Sequence, residues 1–211
     1  MTAADQEEGI PAHFLARQDE SPDELFYVAP RFETHIDDAT IDTLTEYYRT
    51  FIPADARVLD LMSSWISHLP EEVTYRHIAG LGMNEQELAA NKRLDTYRVQ
   101  NLNKDPVLPY PPGSFDRVMI AVSVQYLIRP VEVMRSIHQV LDLGGMLCIA
   151  MSHRLFPTKA VAAFQHLPRK DWIQLVGYYV EQAGFSEVTF EDRSPAHADP
   201  LWLITGRKES P

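Results

Sequence analysis

The stretch that most constrains this fold is residues 57–68, which read R-V-L-D-L-M-S-S-W-I-S-H. Val58, Leu59 and Leu61 form an aliphatic run typical of a central parallel strand that is covered on both faces. Asp60 interrupts this run, and a buried carboxylate is costly unless a cation or a hydrogen-bond donor meets it. We therefore expect Asp60 at the carboxyl end of the strand, facing the crevice where open α/β sheets bind ligands.

The remaining chain alternates between predicted strands and predicted helices. The further predicted strands are residues 75–81, 97–100, 115–124, 146–151, 187–193 and 201–207. The predicted helices are residues 38–51, 85–92, 130–141, 160–167 and 171–183, and residues 69–73 suggest another helix start. Asn84, with Glu87 three residues later, is a capping-box pattern that predicts the start of the second helix. This alternation favours an α/β fold with a doubly wound, mostly parallel sheet and helices on both faces.

The charge of the chain is unevenly distributed and bears on its partners. Of a formal net charge of −11, residues 1–46 carry −10, with twelve acidic residues against Arg17 and Arg31. A chain of this sign would repel a phosphate backbone, so nucleic acid is an unfavourable partner. Small molecules fit better, and a protein partner is left open.

Length and residue usage predict one domain in a reducing compartment. The 211 residues suit a mobile acidic leader at 1–22, a helical N-terminal cap at 23–54 and an α/β domain at 55–211. The single cysteine, Cys148, lies in an apolar run and is expected to be a buried thiol. No apolar segment is long enough to cross a bilayer, and the first residues lack the pattern of a signal peptide. We therefore expect a cytoplasmic protein without a membrane partner.

Three motifs in this order carry a resemblance to a known family. They are V-L-D-L at 58–61, G-S-F-D at 113–116 and L-D-L-G-G at 141–145. Residues 55–207 thereby resemble a class I S-adenosylmethionine-dependent methyltransferase. The resemblance implies a Rossmann-like sheet with an antiparallel last strand at 201–205, and S-adenosyl-L-methionine as cofactor. It also implies methyl transfer to a small-molecule acceptor.

The chain departs from the family pattern where the family holds its cofactor. The family's first turn usually reads G-x-G-x-G, whereas residues 62–68 contain no glycine and resemble a divergent subfamily with S-S-W-[VI]-S-H-L-P in this loop. Gly82 stands where the family usually has an acid for the ribose hydroxyls, and Asn101 where it has an acid near adenine. By the resemblance, Asn84 is then expected near the ribose and Asn101 near adenine, with Ser63 and Ser64 offering hydroxyls to the cofactor carboxylate.

The predicted site residues follow from this alignment and from the convergence of strand ends. The predicted cofactor-binding residues are Asp60, Met62, Ser63, Ser64, Gly82, Met83, Asn84, Asn101, Leu102 and Val122. The predicted acceptor-binding residues are Tyr27, Arg31, His35, Trp65, Tyr126 and Arg154. His68 and His153 are the candidate general bases, because imidazole titrates near neutral pH. No metal-ligand spacing accompanies the histidines, so no metal site is predicted.

Several of these assignments have a structural alternative. Trp65 is equally a core residue, Asn84 is equally a helix cap, and each histidine is equally a hydrogen-bonding scaffold residue. Arg154 or Lys159 could contact an anionic acceptor or pair with acidic residues of the cap, and the pairing is favoured. For the whole protein, the alternative is a noncatalytic methyltransferase-fold protein that acts as a scaffold or regulatory subunit.

Overall fold

The computed structural model describes residues 9–209, which form one seven-stranded sheet with the strand order β3-β2-β1-β4-β5-β7-β6. The strands are β1 Arg57–Leu61, β2 His77–Gly82, β3 Thr96–Val99, β4 Phe115–Ala121, β5 Leu141–Met151, β6 Ser186–Asp192 and β7 Trp202–Arg207. Strands β1 to β5 pair in parallel, and β7 runs antiparallel to both β5 and β6. The predicted mostly parallel sheet with an antiparallel last strand is confirmed.

Seven helices are described with this sheet. They are α1 Ala12–Leu15, α2 Asp23–Tyr27, α3 Asp38–Phe51, α4 Glu85–Ala90, α5 Pro130–Val140, α6 Ala162–His166 and α7 Arg169–Gln182. Leu44 and Tyr48, four residues apart on α3, are buried, as its apolar periodicity predicts. Asn84 caps α4 by accepting hydrogen bonds from the backbone nitrogens of Gln86 and Glu87.

The strand residues alternate between two apolar clusters, one on each face of the sheet. On β4, Val118 and Ile120 pack with α5, α6 and α7, whereas Met119 packs with α3. Cys148 of β5 lies in the α3 cluster, buried as predicted, and burial raises the pKa of its thiol. The sheet is therefore covered on both faces, which explains the near-continuous aliphatic runs.

The connection from β1 to β2 differs from the prediction. The prediction that a helix starts at residues 69–73 is wrong, because residues 62–76 form an irregular loop with a turn at 71–72. Leu69 and Tyr75 are buried in the cluster formed with α3, and the His68 carbonyl accepts a hydrogen bond of 3.0 Å from the Thr45 hydroxyl. These contacts hold the segment against α3 without a helix of its own.

The part of the predicted leader that is described packs on the domain. Ile10 is buried in the cluster with α5 to α7, and the Ala16 carbonyl accepts a hydrogen bond of 2.8 Å from the Ala162 nitrogen. The described part of the predicted leader therefore contributes a residue to the core. Residues 1–8 of that leader lie outside the described residues. Between residues 9 and 209, no helix has the length and apolar character needed to cross a membrane.

Candidate functional site

A cavity of about 360 Å³ lies at the carboxyl ends of the central strands. Its floor is formed by residues that end or follow β1, β2, β3 and β4, and the N-terminal segment 17–36 covers it. All sixteen predicted cofactor-binding and acceptor-binding residues line this cavity, as does His68. His153 is not among the residues that line it, and its Nε2 instead lies 3.1 Å from an oxygen of Asp199. The structure thus brings together every predicted site residue except His153.

Asp60 lies at the floor of the cavity as a buried carboxylate, and no cationic side chain among residues 9–209 pairs with it. Its Oδ2 accepts hydrogen bonds from the hydroxyls of Ser63, at 2.6 Å, and Ser67, at 2.7 Å. Burial raises the pKa of Asp60 to about 7, although both hydroxyls favour the charged form and oppose this shift. Asp60 therefore changes charge near neutral pH.

Side-chain hydrogen bonds organise the glycine-free loop after β1. Besides the two serines on Asp60, the Ser64 hydroxyl donates to Glu87 Oε2 at 2.6 Å. The amide of the buried Asn91 donates to the Ser64 carbonyl at 2.9 Å and to the Ser67 hydroxyl at 2.8 Å. Each serine of the loop is therefore held by an acceptor or a donor in the scaffold. We expected Ser63 and Ser64 to donate their hydroxyl hydrogens to the cofactor carboxylate. In the structure these hydrogens point to the carboxylates of Asp60 and Glu87 instead, so they are not available for the cofactor.

The backbone of this region also takes conformations that glycine usually provides. Met62, His68 and Val122 have φ angles of 59°, 54° and 50°. A non-glycine residue in the left-handed region costs about 1–2 kcal/mol. Hydrogen bonds of 2.8 Å from the Ser63 nitrogen to the Leu81 carbonyl and from the Val122 nitrogen to Ala150 hold the two turns in place. Three of the six non-glycine residues with positive φ between residues 9 and 209 therefore lie at the cavity, where they fix the path of both loops.

Gly82 has a steric role at the end of β2. A Cβ atom at this position would lie 2.2 Å from the Ser63 carbonyl oxygen. The loop after β1 crosses directly over Gly82, so no side chain fits there. This explains why the family's ribose-binding acid is absent from this position.

The two asparagines that were expected to replace the family's acids are committed to the scaffold. Asn84 accepts from two α4 nitrogens and donates to the carbonyls of Tyr27, at 2.9 Å, and Val28, at 3.2 Å. Asn101 donates to Glu24 Oε1 at 3.1 Å and accepts from the Asn103 nitrogen at 2.9 Å. The amide of Asn84 thus uses both of its hydrogens and accepts twice, which favours the helix-cap alternative over a ribose contact.

Glu87 joins the loop after β1 to the segment that covers the cavity. Its Oε2 accepts from the Ser64 hydroxyl, and its Oε1 accepts from the Arg31 backbone nitrogen at 2.8 Å. The capping-box pattern assigned this residue to the helix start, but its carboxylate turns toward residues outside α4. The buried carboxylate of Glu87 therefore links the loop after β1, on the floor of the cavity, to segment 17–36, which covers it.

A second polar cluster, formed around Lys159 and Asp23, also holds segment 17–36 in place. Lys159 is fully buried, and its Nζ donates to the Ser21 carbonyl at 2.7 Å and lies 3.1 Å from Asp19 Oδ2. Asp23 pairs with Arg17 at 2.6 Å and accepts from the Asn103 amide at 2.9 Å. Buried charges of this kind are stable only when paired and hydrogen-bonded.

Burial favours the neutral form of both histidines that line the cavity. It lowers the pKa of His68 to about 4, with a smaller contribution from His35, and the buried Nδ1 of His68 has no hydrogen-bond partner among residues 9–209. Burial also lowers the pKa of His35, whose ring packs edge-on against Phe156 at 5.4 Å. The expectation that a site histidine titrates between pH 6 and 7 is therefore wrong for His68.

The cavity-lining residues that were not predicted as site residues include Glu87, Asn103, Phe156 and Lys159. Glu87 was concealed by its capping position, and Phe156 and Lys159 lie in the loop after β5, where only Arg154 was chosen. No group of three or more histidine, cysteine, aspartate or glutamate residues between 9 and 209 is arranged to hold a metal ion.

Comparison with known proteins gives one family match. Residues 62–149 match a family described as a methyltransferase domain. No curated protein matches the chain in sequence.

Solved structures share the fold at low identity. An S-adenosylmethionine dependent methyltransferase from Mesorhizobium loti is 19% identical, with 79% of this chain and 99% of that chain covered and a TM-score of 0.56. A chain from the complex between the Haloferax volcanii Trm112 methyltransferase activator and the putative methyltransferase is 12% identical, with 82% and 92% covered and a TM-score of 0.64. The [4+2]-cyclase SpnF is 17% identical, with 81% and 82% covered and a TM-score of 0.61.

Proposed function

We propose that the chain is a class I S-adenosylmethionine-dependent methyltransferase, which transfers a methyl group from S-adenosylmethionine to a small-molecule acceptor. The observation that carries this proposal is the cavity at the carboxyl ends of β1, β2 and β4, with the buried carboxylate of Asp60 on its floor. Open α/β sheets bind ligands at this position. A cavity partly covered by segment 17–36 also suits a reaction from which water must be excluded.

The polar groups on the floor suit a cationic part of the cofactor. Ser63 and Ser64 direct their hydrogens to Asp60 and Glu87, so the loop presents oxygen lone pairs to the cavity. These acceptors fit the ammonium group of S-adenosylmethionine, and the carboxylate of Asp60 would favour it electrostatically. An ammonium group near Asp60 would also stabilise the charged form of this acid and lower its pKa.

The adenosine end would lie along the residues that follow β2, β3 and β4. Met83, Leu102 and Val122 line the cavity there and provide apolar surface for a planar ring. Asn101 is a polar residue near this surface, although its amide also donates a hydrogen bond to Glu24. Because no carboxylate stands at position 82, we expect a weaker hold on the ribose than an acid would give.

The protein's own residues position the acceptor, bind it and exclude water. When bound, the cofactor supplies an electrophilic methyl group on a sulfonium sulfur. Trp65 and Tyr126 would wall the acceptor site, and segment 17–36 would cover it. His68 is neutral above pH 5 but, with a pKa of about 4, is a weak base, so it would contact the acceptor and position it.

Calorimetric titration with S-adenosylhomocysteine, the demethylated cofactor, tests the proposal. We expect one site per chain, and labelled S-adenosylmethionine should transfer its methyl group to an acceptor from a panel of small molecules. A folded protein that binds neither form of the cofactor would contradict the proposal.

A noncatalytic scaffold or regulatory role is the second candidate, and one observation favours it. The hydrogen-bonding groups of Ser63, Ser64 and Asn84 are largely used within the chain. A protein that kept the fold and lost the cofactor would show this arrangement. Absence of cofactor binding, together with a stable complex with a protein partner, would favour this candidate.

A further inference from the structure

Arg31 differs from the other strongly basic residues that line the cavity. Arg17 pairs with Asp23 at 2.6 Å, Arg154 with Asp199 at 3.0 Å and Lys159 with Asp19 at 3.1 Å. Between residues 9 and 209, Arg31 has no carboxylate within ion-pair distance. Its charge therefore faces the cavity without a counterion from the described chain.

The guanidinium of Arg31 retains hydrogen-bonding capacity. Its Nη2 donates to the Phe26 carbonyl at 3.0 Å, and its buried Nη1 has no acceptor in the part of the chain that the structure describes. A guanidinium has five N–H donors in a planar fork, so one carbonyl satisfies only part of it. A buried donor without an acceptor is unfavourable unless a ligand supplies one.

Aromatic rings hold the guanidinium in place. Its Cζ lies 4.5 Å from the ring centre of Phe26, 5.3 Å from that of Phe156 and 5.9 Å from that of Tyr27. The faces of these rings stabilise the positive charge without neutralising it. Phe156 and Tyr126, which stack at 5.8 Å, extend the aromatic wall along the cavity.

We propose that the acceptor carries a carboxylate on an aromatic body, with the carboxylate bound by Arg31. This inference rests on the proposed function, because it names the acceptor class of the same site. The planar fork of arginine matches a carboxylate, and the aromatic wall matches a planar apolar body. A singly charged group fits better than a dianion, because two acidic residues of the protein would repel a second negative charge on the ligand. Glu87 accepts a hydrogen bond from the Arg31 backbone nitrogen, and Asp60 lines the same cavity.

The test compares benzoate with benzamide, which has the same shape and no charge. Each is titrated by calorimetry into the wild-type protein, with and without saturating S-adenosylhomocysteine. Benzoate should bind at least about tenfold more tightly than benzamide, since it forms a charge-assisted pair with Arg31. This comparison needs no variant.

Three variants assign the effect to Arg31. Arg31→Gln should weaken benzoate binding by about tenfold or more and leave benzamide unchanged, and Arg31→Lys should recover part of the loss because it keeps the charge. Arg98→Gln is the matched control, because Arg98 lies on the exposed strand β3 and does not line the cavity. It should bind benzoate as the wild type does.

Two results would overturn the inference: equal or absent binding of the two ligands in the wild type, or full benzoate affinity in Arg31→Gln. The cofactor titration is read separately. If S-adenosylhomocysteine fails to bind while benzoate binds through Arg31, the proposed methyl transfer fails and the carboxylate site stands.

Discussion

Replacing Asp60 by asparagine should make the stability of the protein less dependent on pH. In the folded protein, burial raises the pKa of Asp60 to about 7 from its ordinary value of 3.8. The folded state therefore binds a proton more tightly than the unfolded chain does. The stabilisation linked to this proton is fully present below the unfolded pKa and is lost as the pH rises to the folded pKa.

The size of this effect follows from the two pKa values. A difference of one pKa unit corresponds to about 1.4 kcal/mol, so the full shift is worth on the order of 4 kcal/mol. The smaller part of it falls below pH 5, and between pH 5 and pH 8 the wild type should lose about 2 to 3 kcal/mol through Asp60 alone. Asparagine keeps an oxygen that accepts from Ser63 or Ser67 but does not titrate in this range.

Urea denaturation of both proteins at several pH values between 5 and 8 measures this difference. We expect the free energy of unfolding of the wild type to fall relative to that of Asp60→Asn by about 2 to 3 kcal/mol across this range. Asp55→Asn is the matched control, because Asp55 precedes the same strand at its opposite end and its side chain is 70% exposed. A parallel pH dependence in the wild type and Asp60→Asn would refute the assigned burial of this carboxylate.

Three further predictions test other parts of the site. Gly82→Ala should lower the free energy of unfolding by about 1 to 3 kcal/mol, since its Cβ would meet the Ser63 carbonyl at 2.2 Å; an unchanged thermal midpoint would contradict this. The ring protons of His68, followed by NMR, should titrate near pH 4, and a midpoint between 6 and 7 would show that the imidazole is not buried. Glu87→Ala should speed amide exchange of the Arg31 backbone nitrogen by about tenfold, because it removes a charged hydrogen-bond acceptor. Unaltered exchange there would exclude the link between floor and cover.

Most of the fold could be predicted from local patterns. The aliphatic runs at 58–61 and 146–151 marked buried strands, and the apolar periodicity of α3 and the cap at Asn84 marked helices. These features depend on residues close in sequence. The absence of a helix between β1 and β2 could not be predicted in this way, since tertiary contacts of Leu69 and Tyr75 with the α3 cluster override the local helix signal.

The sequence predicted which residues lie together at the site, but it did not predict the hydrogen bonds between them. Convergence of strand ends placed Asp60, Gly82 and Val122 together correctly. The hydrogen-bond partners of the polar side chains depend on contacts between residues far apart in sequence. Ser64 and Glu87, for example, are 23 positions apart. His153 was misplaced for the same reason, because its pairing with Asp199 links residues far apart in sequence.

Binding of S-adenosylhomocysteine to Asp60→Asn at pH 8 tests the central claim most directly. At this pH the Asp60 carboxylate of the wild type is charged, and its loss should weaken binding by about tenfold or more, as expected for a charge-assisted hydrogen bond. Asp55→Asn should bind as the wild type does. Equal affinity of Asp60→Asn and the wild type would contradict the account of a cofactor held over this carboxylate.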